Sequence, residues 1–357
     1  MKEAIVVLSR RWTALLACVG VSLLAGAAAW AQEAAAPADA AAPAPVRTRT
    51  LAEGVLTIIP PSPQEEELFS GPSPLVEVPA SIPDLDYTPN YESKSTTVFE
   101  RAKSSTLRRT IWNLEFAFKP LRMIEVDVPR ADGRLQRKAI WYMVYRVKNN
   151  GNHWKPKAVS ASESEGEGKV VYTKELTNEA EVFGRQSTSL RFFPQFVLRS
   201  NEENVEYLDK VIPAALGPIR RREFPGIEQQ LYDSLTISEV PIELSDETHD
   251  RSVWGVVTWE DVDPAIDYFS IFVKGLTNAY KYEDPAGAYK AGDPPGTGRK
   301  LLHKTLQLNF WRPGDRINQS EEEVRFGVRL DSDPAEQQRI LKLYGLTERL
   351  DYLWVYQ

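Results

Sequence analysis

Residues 130–152 read RADGRLQRKAIWYMVYRVKNNGN, and this stretch decides the fold. Asp132-Gly133 is a strong hairpin signal, because the two central positions of the tightest hairpin turns must both tolerate a positive φ. The strand after it is apolar on both faces from Ile140 to Val147. Such a strand is predicted to lie in the middle of a sheet, with both faces covered.

Other segments show the period of two that is typical of strands with one buried face. In residues 111–118, IWNLEFAF, the apolar positions Trp112, Leu114, Phe116 and Phe118 alternate with Asn113, Glu115 and Ala117. Further strands are predicted at LRMIEVDVP (121–129), STSLRFFPQFVLRS (187–200), SLTISEVPIEL (234–244), SVWGVVTWE (252–260), DYFSIFVKGLT (267–277), KTLQLNFW (304–311), EEVRFGVRL (322–330) and DYLWVYQ (351–357). The pattern predicts a mainly β protein, an antiparallel β-sandwich.

Helices are predicted as small additions to this sandwich, which we place at residues 110–330. Residues 201–232 contain NVEYLDKVIPAALGPIRRREF and are interpreted as an insertion with one or two short helices. Near the C-terminus, Asp333-Pro334 has the pattern of an N-cap followed by Pro at the first helical position. Residues 331–357 are therefore predicted to form a C-terminal helix and strand.

The first 31 residues have the pattern of a bacterial signal peptide. Lys2, Arg10 and Arg11 precede an uncharged stretch, and Ala29-Trp30-Ala31 has the spacing that signal peptidase recognises, so cleavage is predicted after Ala31. Two alternatives stay open, an uncleaved membrane anchor and a lipoprotein acylated at Cys18. The chain is thus predicted to be exported to the periplasm or cell envelope, with membrane attachment only if the segment is retained.

Two proline-containing segments follow. Residues 32–50 include EAAAPADAAAPAP and are predicted to be a spacer with too little apolar content to fold. Residues 51–109 carry Pro at eight positions between Pro60 and Pro89 among short apolar pieces. Because proline disfavours central strands and long helices, this segment is predicted to be extended.

Composition excludes several partners and chemistries. Cleavage would remove Cys18, the one cysteine of the chain, so the mature protein could form no disulfide. Without residues 1–31 the chain keeps 40 Lys and Arg against 49 Asp and Glu, a net charge of −9, which disfavours nucleic acid as a partner. Residues 293–300, DPPGTGRK, have Asp293 where a phosphate loop needs glycine, so no nucleotide is expected.

The piece VYRVKNNGN, residues 144–152, resembles the early core strand and turn of bacterial Ig-like modules related to cell-adhesion domains. This resemblance implies an Ig-like β-sandwich that binds or spaces other molecules, and it brings no catalytic residues. The sequence from FKPLRMIEVDVP to WYMVYRVKNNG is similar to that of a family of exported bacterial proteins, and so is the sequence KTLQLNFWRPGD. That similarity implies export and leaves the activity open.

No metal, cofactor or catalytic motif is identified. The three histidines are isolated in sequence, and WEDVDPAIDYF, residues 259–269, lacks the glycine and glutamate that an EF-hand requires. The mature chain has no cysteine and no G-x-S-x-G motif. Glu260 and Asp261 beside Trp259 are the best local pair for a carboxylate-based hydrolase acting on envelope polysaccharide.

One tryptophan stands apart from those in the predicted strands. Trp154 lies in the polar stretch NNGNHWKPK, which is predicted to be a loop just beyond a strand. A flat ring with His153, Lys155 and Lys157 beside it is a candidate ligand-binding surface. The function that follows is a non-catalytic envelope protein that binds or scaffolds protein or glycan, and the alternative is the hydrolase.

Overall fold

The computed structural model describes residues 56–58, 60–70, 106–160, 170–182, 184–290, 293–294, 296–313 and 324–357. All of them belong to one compact unit, residues 51–357. The predicted signal peptide, the spacer and most of the Pro-rich segment lie outside the described residues.

The described part is mainly β, as predicted. Its strands, in chain order, are β1 (Leu56–Ile58), β2 (Phe69–Ser70), β3 (Leu107–Arg108), β4 (Glu115–Phe118), β5 (Arg122–Pro129), β6 (Leu135–Lys148), β7 (His153–Ser160), β8 (Val170–Thr177), β9 (Ala180–Val182), β10 (Arg185–Ser187), β11 (Leu190–Arg191), β12 (Gln195–Ser200), β13 (Glu206–Leu208), β14 (Pro241–Ile242), β15 (Val253–Trp259), β16 (Tyr268–Lys274), β17 (Tyr280–Glu283), β18 (Lys300–Trp311), β19 (Arg325–Phe326) and β20 (Tyr352–Tyr356). The α-helices are α1 (Glu65–Leu68), α2 (Pro213–Glu223) and α3 (Pro334–Leu343).

Two antiparallel sheets form the body. The first sheet has the order β1-β4-β6-β15, with β5 also paired to β6. The second sheet has the order β13-β12-β16-β18, and β17, β19 and β20 all pair with β18. Side chains from both sheets, among them those of Tyr145, Phe196 and Phe310, enter one hydrophobic core. The two sheets therefore pack face to face as a β-sandwich.

Strand β6 is central in the first sheet, as its apolar run predicts. β4 and β5 pair with it along one edge and β15 along the other. Because side chains alternate along a strand, Trp141 and Met143 enter the core between the sheets. Tyr142 and Val144 point the other way, into a second cluster with Ile219 of α2.

The hairpin at Asp132-Gly133 forms with a different turn from the one predicted. Arg130 N–H donates to the carbonyl of Arg134, and Gly133 N–H donates to the carbonyl of Arg130. Gly133 has a φ of 79°, whereas Asp132 is not among the residues with positive φ. This is a type I turn followed by a glycine bulge, in which one position needs the left-handed conformation.

Each sheet carries a helix on its outer face. The predicted insertion contains β13 and one helix, α2, which packs on the first sheet. Helix α3 packs through Ile340 and Leu341 on the second sheet. As predicted, Asp333 caps α3, since its Oδ1 accepts from the N–H of Ala335 at 2.9 Å.

Two predicted strands are largely wrong. In residues 234–244, Thr236–Glu239 forms a 3₁₀ helix, Pro241–Ile242 pairs with β11, and Leu244 makes an isolated bridge with Asn149. The turn is held by Asp233, whose Oδ1 accepts from the N–H of Thr236 at 2.8 Å. In the described part of residues 322–330, which begins at Val324, the strand that pairs with β18 is Arg325–Phe326. Local side-chain hydrogen bonds thus replace strand pairing where apolar alternation alone suggests a strand.

A buried ion pair fixes the C-terminal end of α2 to the first sheet. Glu223 is almost fully buried, and Arg122 Nη1 lies 2.5 Å from its Oε2. The hydroxyl of Tyr142 donates to Glu223 Oε1 at 2.7 Å. Lys119 Nζ donates to the carbonyl of Glu223 at 2.6 Å, where the helix dipole favours a cation.

Glu223→Gln is therefore expected to destabilise the protein by about 3 kcal/mol, because it removes the negative charge opposite a buried guanidinium. The matched control is Glu125→Gln, which breaks an exposed pair with Arg137 on the same sheet and is expected to cost less than about 1 kcal/mol. Chemical denaturation of both variants measures the two free energies of unfolding. Equal losses would show that burial of the Glu223 pair does not matter.

Candidate functional site

Trp154 lies in a strand, which corrects the loop predicted from the sequence. His153 to Ser160 form β7, which pairs with β8 so that Trp154 faces Leu176. On the other side of β7, Ile111 and Trp154 exchange two backbone hydrogen bonds of 2.8 and 2.9 Å. The polar composition of NNGNHWKPK suggested a loop, and residues 149–152 do form a turn, but backbone pairing makes the strand from His153 onward extended.

The predicted set of site residues is divided between two faces of this strand. His153, Lys155 and Lys157 alternate with Trp154 and so point away from it. Lys155 and Lys157 pair with Glu175, at 3.5 and 2.8 Å, and these contacts lower the pKa of Glu175.

Trp154 is the member of that set that lines a cleft. The ring is half-buried and packs against a small cluster formed by Leu68, Ile111 and Ala279. Nearby lies a cleft of about 350 Å³, which we call the Trp154 cleft. It is lined by Pro60, Pro61, Ser62, Asn113, Glu115, Asn150, Gly151, Asn152, Trp154 and Leu176.

The turn from β6 to β7 forms one side of the cleft. Asn149 is fully buried, and its side chain accepts from the N–H of Gly151 at 3.0 Å and donates to the carbonyl of Thr188 at 3.0 Å. Gly151 and Asn152 have φ values of 65° and 53°, the left-handed region that glycine and asparagine tolerate best. A Cβ atom at Gly151 would lie 2.4 Å from Asn178 Oδ1, so a larger residue would have to displace that side chain and also adopt the strained positive φ.

The N-terminal segment contributes Pro60, Pro61 and Ser62 to the lining of the cleft. Beyond Pro60 and Pro61, Glu67 makes a buried ion pair of 3.0 Å with Lys304 of β18. Lys174 Nζ of β8 donates to the carbonyl of Pro63 at 3.3 Å and lies 6.0 Å from the centroid of the Trp154 ring. A segment predicted only to be extended therefore supplies part of the site.

Asn113 is a site residue that the sequence reasoning missed. The alternation in residues 111–118 placed it on the solvent face, yet it is only 5% exposed. Its Nδ2 lies 3.5 Å from the carbonyl of Pro61, and its Oδ1 is buried with no hydrogen-bond partner among the described residues. The bridge between Asn113 and Thr277 joins it to a distant part of the chain, which no local pattern could indicate.

His153 contacts the backbone of Asn113. Its side chain is fully buried, and its Nδ1 accepts from the backbone N–H of Asn113 at 3.4 Å. That hydrogen bond leaves the proton on Nε2, which has no partner within the described part of the chain. Burial lowers the pKa of His153 to about 4.

Glu260 does not have the properties of a general acid. Its carboxylate, which is 5% exposed, accepts hydrogen bonds from Lys138 and Lys210. These two cations lower the pKa of Glu260, whereas an acid for glycoside cleavage needs a raised pKa. Asp261 is exposed and lies 3.1 Å from the same Lys138. The pair that the sequence favoured for hydrolysis is thus neutralised by lysines.

Within the described ranges, no group of three or more His, Cys, Asp or Glu side chains is placed to hold a metal ion. No helix among these residues combines the length and the apolar character needed to cross a membrane. No family model, curated protein or solved structure matches the chain.

His153 predicts a pH dependence of stability. In the unfolded chain its pKa is near the ordinary 6.5, so between about pH 6.5 and pH 4 the unfolded state binds a proton that the folded state does not. Stability should fall as the pH is lowered through this window, by about 1.4 kcal/mol per pH unit and about 3 kcal/mol in total. Below about pH 4, His153 is protonated in both states, so its contribution to the free energy of unfolding should not change further.

Denaturation curves between pH 7 and 4 test this for the wild type and for His153→Gln, with His153→Phe as a second neutral replacement. In the His153 variants, the free energy of unfolding should decrease less steeply between pH 6.5 and pH 4 than in the wild type, whatever their absolute stability. His249→Gln is the control, because His249 is exposed. Identical slopes for the wild type and both His153 variants would contradict the prediction.

Proposed function

We propose that this protein is an exported bacterial envelope protein that binds a glycan in the Trp154 cleft and catalyses no reaction. One observation carries the proposal: the cleft combines a half-buried indole with the polar side chains of Asn113, Glu115 and Asn150. An indole offers a flat apolar surface to the C–H face of a sugar ring. Amide and carboxylate groups offer acceptors and donors to its hydroxyl groups.

The size of the cleft favours a small ligand over a protein surface. A volume of about 350 Å³ lies in the range of small-molecule sites, roughly 300 to 1,000 Å³. A stable protein interface usually buries about 800 Å² on each partner and is centred on large anchors. A cleft of this volume suits one or two sugar units.

Two features of the sequence support the setting that we propose. Residues 1–31 have the charge, apolar stretch and Ala-Trp-Ala spacing of a signal peptide. Residues 144–152 resemble a strand and turn of Ig-like modules, which present binding surfaces on a rigid sandwich. In this chain the same nine residues end in the turn that lines the cleft.

Export is tested by N-terminal sequencing of the protein purified from the envelope fraction of a bacterium that expresses the full chain. The expected first residue is Gln32, because Ala29 and Ala31 meet the requirement of signal peptidase for small residues. Recovery of Met1 would indicate a retained anchor. An acylated Cys18 at the N-terminus would indicate a lipoprotein.

Glycan binding is tested with a matched pair of variants on one hairpin. Leu176→Ala removes an exposed wall of the cleft, whereas Val159→Ala removes an exposed side chain of β7 that does not line it. Leu176→Ala is expected to weaken retention on purified envelope polysaccharide about 10-fold, because it removes buried apolar contact. Val159→Ala should bind as the wild type does.

Trp154→Ala extends this test to the aromatic platform. It should weaken retention further, by about 30-fold or more, as truncation of a central aromatic commonly does. Because the ring also packs against Leu68, Ile111 and Ala279, its free energy of unfolding must be measured alongside. Normal retention by folded Leu176→Ala and Trp154→Ala proteins would refute binding in this cleft.

A further inference from the structure

The C-terminal end of α2 carries positive charge that the described part of the chain does not balance. Arg220, Arg221 and Arg222 occupy the last turn of the helix, and all three are exposed. Arg222 donates to the carbonyl of Met123 at 2.7 Å, and none of the three forms an ion pair with a described carboxylate. The helix dipole places the equivalent of roughly half a negative charge at this end, so it balances a small part of the three positive charges.

The acidic residues around this end do not compensate the arginines. Glu223 is buried in the ion pair that fixes α2 to the first sheet. Glu125 of β5 points to the opposite face of that sheet, because its neighbours Ile124 and Val126 face α2. Glu228 is exposed in the turn after the helix. The three arginines and this one carboxylate therefore leave a net positive surface.

An exposed apolar side chain follows directly after these arginines. Phe224, the residue after α2, anchors the turn by packing its ring against that of Trp254, with the centroids 5.2 Å apart. Ile227 N–H then donates to the carbonyl of Phe224 at 3.2 Å, and Gly226 closes the turn with a φ of 74°. Ile227 is nevertheless 63% exposed and belongs to none of the apolar clusters of the described residues. The turn is thus held in place while its isoleucine faces solvent.

We propose that the end of α2 and the turn after it dock on a membrane that contains anionic phospholipid. The guanidinium groups of Arg220 and Arg221 bind the lipid phosphates, whose oxygens match them in pairs of hydrogen bonds. Ile227 enters the boundary between headgroups and acyl chains. A lipid surface fits better than a soluble polyanion, because it offers the exposed isoleucine an apolar environment. This contact needs no retained N-terminal segment, and none of its residues lines the Trp154 cleft, so it is independent of glycan binding.

The test mixes the protein purified from the envelope fraction with phosphatidylcholine vesicles that either contain or lack phosphatidylglycerol. Co-sedimentation measures the fraction of protein bound to each kind of vesicle. We expect clear binding to the vesicles that contain phosphatidylglycerol and much weaker binding to those that lack it. Added salt should weaken the binding, because ions screen the attraction between exposed charges.

The double variant Arg220→Gln/Arg221→Gln tests the assignment of the charges, and Arg222 is kept because it also bonds to β5. This variant should bind phosphatidylglycerol vesicles about 30-fold more weakly, the effect expected for two basic residues at an anionic surface. The matched control is Arg185→Gln/Arg191→Gln, which removes the same charge from exposed positions of β10 and β11. The control should bind within about 2-fold of the wild type, because exposed charges act over a short range in salt.

Ile227→Ser tests the apolar part of the contact and should weaken binding about 10-fold, because it removes a side chain that the lipid would bury. Leu330→Ser is its control, since Leu330 is 72% exposed but lies between β19 and α3, on the side of the second sheet. Equal binding to the two kinds of vesicle, or equal losses in the two double variants, would overturn the proposal. Binding to soluble polyphosphate without binding to vesicles, or unchanged vesicle binding by Ile227→Ser, would overturn the assignment to a lipid surface.

Discussion

Burial of β6 on both faces is the constraint on which the rest of the structure depends. Residues 140–147 have no polar face, so each side of the strand must be covered by a separate apolar layer. The second sheet covers one side through Phe196 and Phe310, and α2 covers the other through Ile219. The second sheet and α2 therefore have the same role: each removes one apolar face of β6 from water.

The same strand also fixes the position of the site. β6 ends at Lys148, and the buried amide of Asn149 then ties the turn to Thr188 and Ile242. Because these anchors hold the turn, the left-handed residues that follow redirect the chain into β7 and present Trp154 at the end of the first sheet. Rigid strands thereby position the lining residues of a cleft, which is the usual relation between a sandwich and its binding surface.

Sequence reasoning predicted features that depend on local pattern. The double-sided burial of residues 140–147, the Asp333 cap and most of the strands follow from periodicity and from short-range chemistry. Sequence reasoning failed where pairing with residues far away in the chain determines the conformation or the burial of a residue. Trp154 is extended because Ile111 pairs with its backbone, and Asn113 is buried because Pro61 and Thr277 lie against it. Composition indicated a polar loop at Trp154, and alternation indicated a solvent-facing position for Asn113. Both are local signals, so they could not reveal partners that are far away in sequence.

The cleft depends on a wall that the sandwich does not provide by itself. Pro60 and Pro61 belong to a segment whose regular pairing on the first sheet, in its described part, is the three-residue strand β1, which is too short to hold it firmly. The buried ion pair between Glu67 and Lys304 supplies the missing constraint, because a buried charge that leaves its partner loses several kcal/mol. Since Lys304 lies on β18, this wall is fixed to the second sheet, while Asn113 and Trp154 are carried by segments next to the first sheet. The geometry of the cleft therefore depends on how the two sheets pack against each other.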